Sequence, residues 1–502
     1  MNTHSPADYD DEAPLYEASK KIYPQGVSGT FRRIKWTLLI LCLGVYYLLP
    51  FVRWDRGPHL PNQAVLVDMP ARRFYFFFIE IWPQEVYYLT GLLILAALIL
   101  FLMNAVAGRI WCGYLCPQTV WTDLFLQVER LIEGDRRERM QRDAAPWVGK
   151  TWGLKILKHF VWVMIAWWTG GAWVLYFSDA PTLVRDLATF QAPFVAYLWI
   201  GILTFTTYAL AGFMREQVCL YMCPWPRIQA ALTDADALNV AYRHDRGDPR
   251  MSLKQATKAK ATGEPAGDCI DCNQCVAVCP TGVDIRDGAQ LGCIQCGLCI
   301  DACDTVMTKI NRPTGLIGYD TEQAITARAC GTTPPPIRLI RARTLLYVGV
   351  IAAVAMTMIY ALATRSMMDI SAIHERSPLF TVLRDGSVRN NYTLRLANKR
   401  PEARIFAVAV DGVPGASAEL IGVKSIPGQP LSFEIGPDQT LDVRLLVTVP
   451  RHAFEGGKTM IQIKATDAAL GDSRVIRENF FGPDGDDSRR SRGARHGERR
   501  DD

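Results

Sequence analysis

Histidine is scarce in this chain, with seven in 502 residues. A membrane b-type haem needs imidazoles facing one another within spans, and only His159 falls in an apolar stretch, at its start. No Gly-x-Gly-x-x-Gly follows a strand-like run, so a dinucleotide or flavin site of that kind is not expected. Without haem, flavin or nucleotide, any redox chemistry here needs a separate electron donor. The N-terminal stretch MNTHSPADYDDEAPLYEASKK lacks the basic start, apolar core and cleavage site of a signal peptide. Isolated cysteines are also rare. Of the 14, all but Cys42 and Cys330 fall in ordered groups, which in a reducing compartment read as metal sites rather than disulfides.

What is abundant is apolar sequence. The hydrophobic fraction is 49% and the mean hydropathy is +0.06, high for a soluble chain of this length. Five apolar stretches approach the roughly 20 residues that a spanning helix needs. They run from about Trp36 to Val52, Val86 to Ala107, Ile156 to Phe177, Phe194 to Met214 and Thr344 to Ala363. The aromatic run Phe74 to Trp82 carries Glu80 and follows Arg73, so it reads as interfacial or re-entrant.

Lys and Arg set the orientation. Arg32, Arg33 and Lys35, the segment from Arg109 to Lys155, the segment from Arg215 to Lys260, and Arg338, Arg341 and Arg343 all fall on one side of five alternating spans. Only Arg53, Arg56, Arg72 and Arg73 oppose them. The expected order is a cytosolic segment 1–35, four transmembrane helices over 36–215, a cytosolic region 216–343, a fifth span 344–364 and an outer domain 365–483. That last segment alternates apolar and polar residues between Asp385-Gly386, Asp411-Gly412, Pro427-Gly428 and Pro437-Asp438 turns, which predicts an all-β, immunoglobulin-like sandwich without a disulfide. The charged end 484–502 is expected to be disordered. The fold class is thus a multi-pass α-helical membrane protein with an inserted ferredoxin-like domain, at about 260–312, and a C-terminal β sandwich.

The insert carries the strongest motif. Cys269, Cys272, Cys275 and Cys279, followed by Pro280, repeat as Cys293, Cys296, Cys299 and Cys303. Both quartets have the C-x2-C-x2-C-x3-C spacing of two-cluster ferredoxins. Three thiolates on one tight loop suit a cubane corner, and the fourth reaches the other cluster. Cys269, Cys272, Cys275 and Cys303 then hold one [4Fe–4S] cluster, and Cys293, Cys296, Cys299 and Cys279 the other. A pair of zinc ribbons is the competing reading, but zinc sites join C-x2-C pairs through longer spacers.

A second pattern sits at the membrane edge. Cys112 and Cys116 in RIWCGYLCPQ echo Cys219 and Cys223 in REQVCLYMCPW: each is C-x3-C-P after an apolar stretch. If the stretches are helical, each pair lies on one face with Cβ atoms about 5–6 Å apart. Four converging thiols suit Cu(I), zinc or an iron–sulfur cluster, and Arg109 and Arg215 are placed to ease their deprotonation. Simple packing of small apolar side chains is the alternative.

Together with LFTVLRDGSVRNNYTLRLANK in the outer domain, these motifs resemble the cytochrome cbb3 oxidase accessory proteins known as CcoG, FixG or RdxA over nearly the whole chain. The C-x3-C-P pairs also occur in quinol-dehydrogenase subunits of the NapH type. The resemblance implies a bacterial inner-membrane cupric reductase whose C-terminal domain is periplasmic and whose product, Cu(I), goes to oxidase assembly. Copper would be handled near Cys112, Cys116, Cys219 and Cys223. The implied partners are the oxidase assembly machinery, a copper transporter or chaperone, a cytosolic electron donor and the lipid bilayer. No nucleic acid is expected, and the oligomeric state stays open, a dimer included. A quinol-linked electron conduit and a non-catalytic scaffold or redox sensor are the competing functions.

Overall fold

The computed structural model describes residues 21–483 apart from 59, 147, 401, 425, 427–428, 430 and 454–456. The N-terminal stretch, the Pro427-Gly428 turn and the expected disordered end therefore lie partly or wholly outside the described residues. The chain forms two compact units, one built from residues up to 54 and 63–358, the other from 55–62 and 359 onward.

In the first unit, α1 (Thr30–Leu48), α2 (Tyr87–Ala107), α3 (Ile110–Tyr114), α4 (Pro117–Glu133), α5 (Arg136–Ala144), α6 (Gly149–Val174), α7 (Ala180–Ala188), α8 (Phe194–Thr207) and α9 (Trp225–Leu232) follow in order. Among the described residues, four helices are long and apolar enough to cross a membrane: Thr30–Phe51, Pro83–Ala107, Phe194–Met214 and Ala342–Ala363. The expected span near Ile156 to Phe177 corresponds to α6, which is 26 residues long. Its mean hydropathy is held down by Lys155, Lys158, His159 and its tryptophans, and it is not among the four.

Two expectations change. Arg32 and Lys35 do not flank the first helix in water. They lie inside α1, buried at 6% and 3% exposure, where Arg32 pairs with Asp123 on α4 at 2.8 Å. The run Phe74 to Trp82 is not re-entrant but part of a three-stranded antiparallel sheet, β1 (Val65–Asp68), β2 (Arg73–Phe76) and β3 (Ile79–Ile81). Its charges neutralise each other in the Arg73–Glu80 pair, 3.1 Å apart.

The cysteine-rich insert is mostly loop, closed by a two-stranded sheet of β4 (Asn239–Tyr242) and β5 (Ile317–Asp320). The second unit is the expected sandwich. β6 (Met368–His374), β7 (Thr381–Val382), β8 (Val388–Asn398), β10 (Ser417–Ile421) and β12 (Gln439–Val449) form one sheet. β9 (Arg404–Asp411), β11 (Ser432–Ile435), β13 (Lys458–Asp467) and β14 (Ser473–Phe481) form the other. Alternation along β8 puts Tyr392, Leu394 and Leu396 inward, each 0% exposed, against Phe406, Phe433 and Ile463 of the facing sheet. A single buried face of this kind fixes strand register, because a one-residue slip would turn the whole apolar set to water.

Candidate electron-transfer site

The two ferredoxin loops repeat one another in backbone as well as in spacing. Asp271 and Asn273 flank Cys272 with φ of 55° each, and Gln295 and Gly297 flank Cys296 with φ of 56° and 71°. Left-handed residues inside a short loop turn successive N–H groups to one side and create an anion-binding concavity. The backbone N–H groups of Gln295 and Leu298 favour the ionised sulfurs of Cys293 and Cys296, against the larger effect of burial. Cys275 lies on the short helix Gln274–Ala277, and Cys299 and Cys303 on the helix Leu298–Lys309.

The cysteines of the two loops lie close enough to feel one another's charge. The Cys303 thiol is pushed up to about 12, first by burial and then by the charges of Cys275, Asp304, Cys272 and Cys269. The Cys299 thiol is raised well above its ordinary value by burial, then by Cys296, Cys293 and Cys279. Cys275, Cys279, Cys293, Cys296 and Cys299 line one void. Among the described residues no three His, Cys, Asp or Glu side chains are close enough to hold a single ion. One tetrahedral zinc, with Zn–S of about 2.3 Å, would need its sulfurs almost in contact. Thiols lining internal space fit a bulkier inorganic core, and bound iron, by its charge, would deprotonate those, such as Cys293, Cys296 and Cys299, that burial raises.

The C-x3-C-P pairs differ from expectation in an informative way. Neither is a continuous helical turn. The apolar helix before each ends in a sharp break with nearly the same backbone, Gly108 at φ 51°, ψ −121° and Arg215 at φ 40°, ψ −111°. A short helical piece follows, α3 in one case and the π-helical Val218–Met222 in the other. The second cysteine of each pair is extended (Cys116 ψ 128°, Cys223 ψ 122°) and donates its N–H five residues back, to Trp111 O at 2.9 Å and Val218 O at 2.8 Å. The proline after each cysteine then opens or precedes a new helix, α4 or α9, because its missing N–H is no loss there. The repeat visible in the sequence is thus a repeat of fold, helix–break–turn–helix, rather than of one helical face.

The two repeats interlock. Gln118, just after Cys116, donates to Leu210 O at 2.8 Å and Arg215 O at 3.2 Å. In return, Arg109 donates to Pro226 O at 2.9 Å, and the Cys112 thiol to Gln229 Oε1 at 3.3 Å, both acceptors on α9. Burial pushes the Cys112 thiol up to about 12, with Cys116, Cys219 and Cys223 adding to it. Burial raises Cys219 to about 11, with Cys116 and Cys223 adding. Cys112 and Cys219 therefore each feel the charges of Cys116 and Cys223. The expected help from arginine is weak. Arg109 lowers Cys112 only against a larger burial effect, and Arg215 is turned away to Glu129 at 3.0 Å.

Sequence reasoning missed the residues that join this thiol group to the ferredoxin loops. Arg109 donates to Leu291 O at 2.5 Å and Cys293 O at 3.3 Å, and its N–H to Gln295 Oε1 at 2.7 Å. The Tyr114 hydroxyl donates to Cys296 O at 2.9 Å, and that of Tyr319 to Gln295 O at 2.6 Å. Gly113 lies so close that a Cβ there would meet Ile294 O at 2.7 Å. Asp301, between Cys299 and Cys303, accepts from the N–H groups of Phe31 and Arg32 at 3.2 and 2.8 Å and so caps the start of α1. The only sequence signals for these contacts were Gly113 inside a cysteine motif and the Gly108 helix stop.

A buried ion network supports the same region. Glu129 on α4 receives Arg139, Lys158 and Arg215 at 3.0, 3.4 and 3.0 Å, and Glu133 receives Lys155 and Lys158 at 3.0 Å each.

Apolar helices long enough to span, joined to a loop domain with two cysteine quartets and an adjoining thiol group, define a membrane iron–sulfur protein of the electron-transfer class. The comparisons agree: residues 214–322 match a 4Fe-4S dicluster domain, residues 89–134 a 4Fe-4S binding domain, and residues 358–483 the immunoglobulin-like fold at the C-terminus of FixG. The chain belongs to the FixG/RdxA family. It is 47% identical over 492 residues to nitrogen fixation protein FixG of Rhizobium meliloti, covering 93% of this chain and 94% of that one. It is 48% identical over 488 residues to protein RdxA of Cereibacter sphaeroides, covering 97% and 99%. A crystal structure of a FixG-related protein from Vibrio parahaemolyticus aligns with 23% of this chain and 97% of its own at 21% identity, with a TM-score of 0.21.

Proposed function

We propose that this protein carries electrons through two [4Fe–4S] clusters to the four-thiol group at the membrane edge, where Cu(II) is reduced to Cu(I) for assembly of a cbb3-type oxidase. Cys269, Cys272, Cys275 and Cys303 would hold one cluster, and Cys279, Cys293, Cys296 and Cys299 the other. When bound, such clusters supply one-electron storage at potentials set by their surroundings. The reading rests on one observation: the segment Arg109–Tyr114, which carries Cys112, is hydrogen-bonded directly onto the Leu291–Cys296 loop. Tight van der Waals approach at Gly113 closes the gap between them.

The chemistry of the receiving site agrees. Thiolate is soft and favours Cu(I) over Cu(II), so a thiol-lined site holds the product better than the substrate and draws the reduction forward. Cu(I) is satisfied by two sulfurs, and a C-x3-C pair supplies two. Reduction of Cu(II) takes one electron, and Cu(I) bound by thiolate displaces the thiol proton, so the metal's charge offsets the burial that raises the Cys112 and Cys219 thiols.

In the membrane, we take α6 as the fifth span, because Ile156, Phe160, Trp167 and Trp168 are 47–63% exposed and such an apolar face needs lipid. Five spans put the N-terminus and the ferredoxin loops in the cytosol and the β sandwich in the periplasm of a bacterial inner membrane. The sandwich would then meet the oxidase assembly partners, and a copper transporter or chaperone would exchange copper with the membrane edge.

The test uses anaerobically purified full-length protein, reduced with dithionite and freed of excess reductant. Adding Cu(II) with a Cu(I)-specific chelator should yield one Cu(I) per electron stored and bleach the iron–sulfur absorbance. Clusters that stay reduced in Cu(II) would sink the proposal. Replacing Cys112 and Cys116 with Ser should retain iron and sulfide but slow Cu(I) release.

A further inference from the structure

Two cavities of about 380 Å³ each lie on the two sides of one hydrogen-bonded pair. The first is an apolar groove between α6 and α8, on the surface expected to face lipid, lined by Val163, Trp167, Tyr197, Gly201, Phe205 and Tyr208. The second is a polar pocket at the end of the same helices, lined among others by Lys158, His159, Trp162, Phe213 and Glu216. Tyr208 walls the groove, His159 walls the pocket, and their side chains are hydrogen-bonded at 2.9 Å. An apolar groove beside a polar pocket suits an amphiphile.

Three further observations narrow the occupant. First, the cations around the pocket already have carboxylate partners. Lys21 pairs with Asp143, Lys155 with Glu133 and Asp143, Lys158 with Glu133, and Arg215 with Glu129, all within 3.0 Å. A phosphate headgroup would find its counter-ions taken, whereas a neutral ring with carbonyl oxygens would not need them. Second, the pocket is walled by flat rings: Phe213 stacks on His159 with centroids 5.7 Å apart and planes 14° apart. In the groove the Tyr197 hydroxyl is buried without a hydrogen-bond partner among the described residues. Third, the wall is built by a π-helical segment, Tyr208–Met214, which is a rare conformation found mostly at functional sites. This segment runs directly into Arg215 and Glu216, and Glu216 lines both the pocket and a smaller void that touches Cys219 and Ile294 of the ferredoxin loop.

We propose that the groove and pocket form a quinone site, with the headgroup beside His159 and Tyr208 and the prenyl tail along the Gly201 groove. The site would exchange electrons between the membrane quinone pool and the iron–sulfur domain. Oxidation of one quinol releases two electrons and two protons. Two one-electron centres accept one electron each, and the protons pass to water through the polar pocket. Coupled to the reduction proposed above, one quinol would reduce two Cu(II) to two Cu(I) and release two protons. The quinone site rests on that reading only for its final acceptor.

The test uses the full chain in quinone-free phosphatidylcholine nanodiscs with decyl-ubiquinone as probe. Saturable quenching of tryptophan fluorescence is expected. Gly201→Leu fills the groove, and since an added Cβ at Gly201 meets nothing within 4 Å, the variant should fold. It should weaken the probe's affinity at least about tenfold. Tyr208→Phe should also weaken it, and both variants should keep full iron and sulfide content. Anaerobic electron exchange, from decyl-ubiquinol to oxidised protein or from reduced protein to decyl-ubiquinone, should slow in step with binding. Quenching that does not saturate, or that is the same in Gly201→Leu, overturns the proposal. So does a loss of co-purified anionic phospholipid in Gly201→Leu with unchanged quinone binding, which would make the pocket a lipid-headgroup site. Copper reduction measured with dithionite bypasses the quinone, so failure of one reading leaves the other standing.

Discussion

At Glu129 one carboxylate, 1% exposed, faces three cations. Burial opposes its charge, but Arg215, Lys158 and Arg139 outweigh that and hold its pKa below the ordinary 4.5. Asp123 behaves alike: burial is offset by Lys35 and Arg32, and its pKa falls below 3.8. Removing one partner of such a buried set strands the others. Glu129→Ala should therefore cost about 3–5 kcal/mol, read from thermal denaturation in detergent. The sign of the pH effect follows from the depressed values. Both carboxylates contribute their stability in full above their unfolded pKa values and lose it as pH falls through the lower folded values. Stability should be flat near neutral pH and drop below about pH 4.5. Glu129→Gln should flatten part of that drop. None of this pairing was legible in the sequence, where Arg32 and Lys35 read as a water-facing flank. Spacing along a chain does not show which buried carboxylate lies opposite.

At the scale of elements, the ferredoxin loops were legible because ligand chemistry dictates their spacing. The same two-residue spacers that suit a cubane also force the left-handed residues at Asp271, Asn273, Gln295 and Gly297. The docking of α3 onto those loops was not legible, because its partners lie more than 180 positions apart in sequence. The break in the second C-x3-C-P repeat was hidden too. Gly108 announces a helix stop, but Arg215 takes the same backbone without the glycine that usually marks it. A non-glycine residue held there costs on the order of 1–3 kcal/mol, and its guanidinium bonds to Glu129 and Gly212 O oppose that cost. Gly113→Val tests the docking. The new side chain would press on Ile294 and Cys296, so iron content should fall toward half as the Cys279, Cys293, Cys296 and Cys299 quartet fails. The electron paramagnetic resonance signal from the other quartet should persist.

At the scale of the whole molecule, the sandwich was the most legible part, since period-two alternation and turn residues dictate strands directly. α6 was harder, because lysines and tryptophans lower its hydropathy without shortening it. The two compact units have separate cores. Leu394→Ala, at a fully buried position of β8, should destabilise the sandwich by about 2–5 kcal/mol. The iron–sulfur absorbance of the same protein should be unchanged. Loss of iron in that variant would show that the two cores melt together.

The repeat at the membrane edge is symmetric in backbone but not in wiring. Arg109 spends its guanidinium on the ferredoxin loop, while its counterpart in the second repeat, Arg215, spends its own on Glu129. A fully symmetric thiol group would offer electrons the same road in and out. On the proposed electron path, one repeat is bonded to the ferredoxin loop and the other lines an open pocket, which would give the group two distinct terminals. Exchanging alanine for either arginine should therefore break different halves of the circuit: Arg109→Ala the supply of electrons, and Arg215→Ala the shape of the chamber.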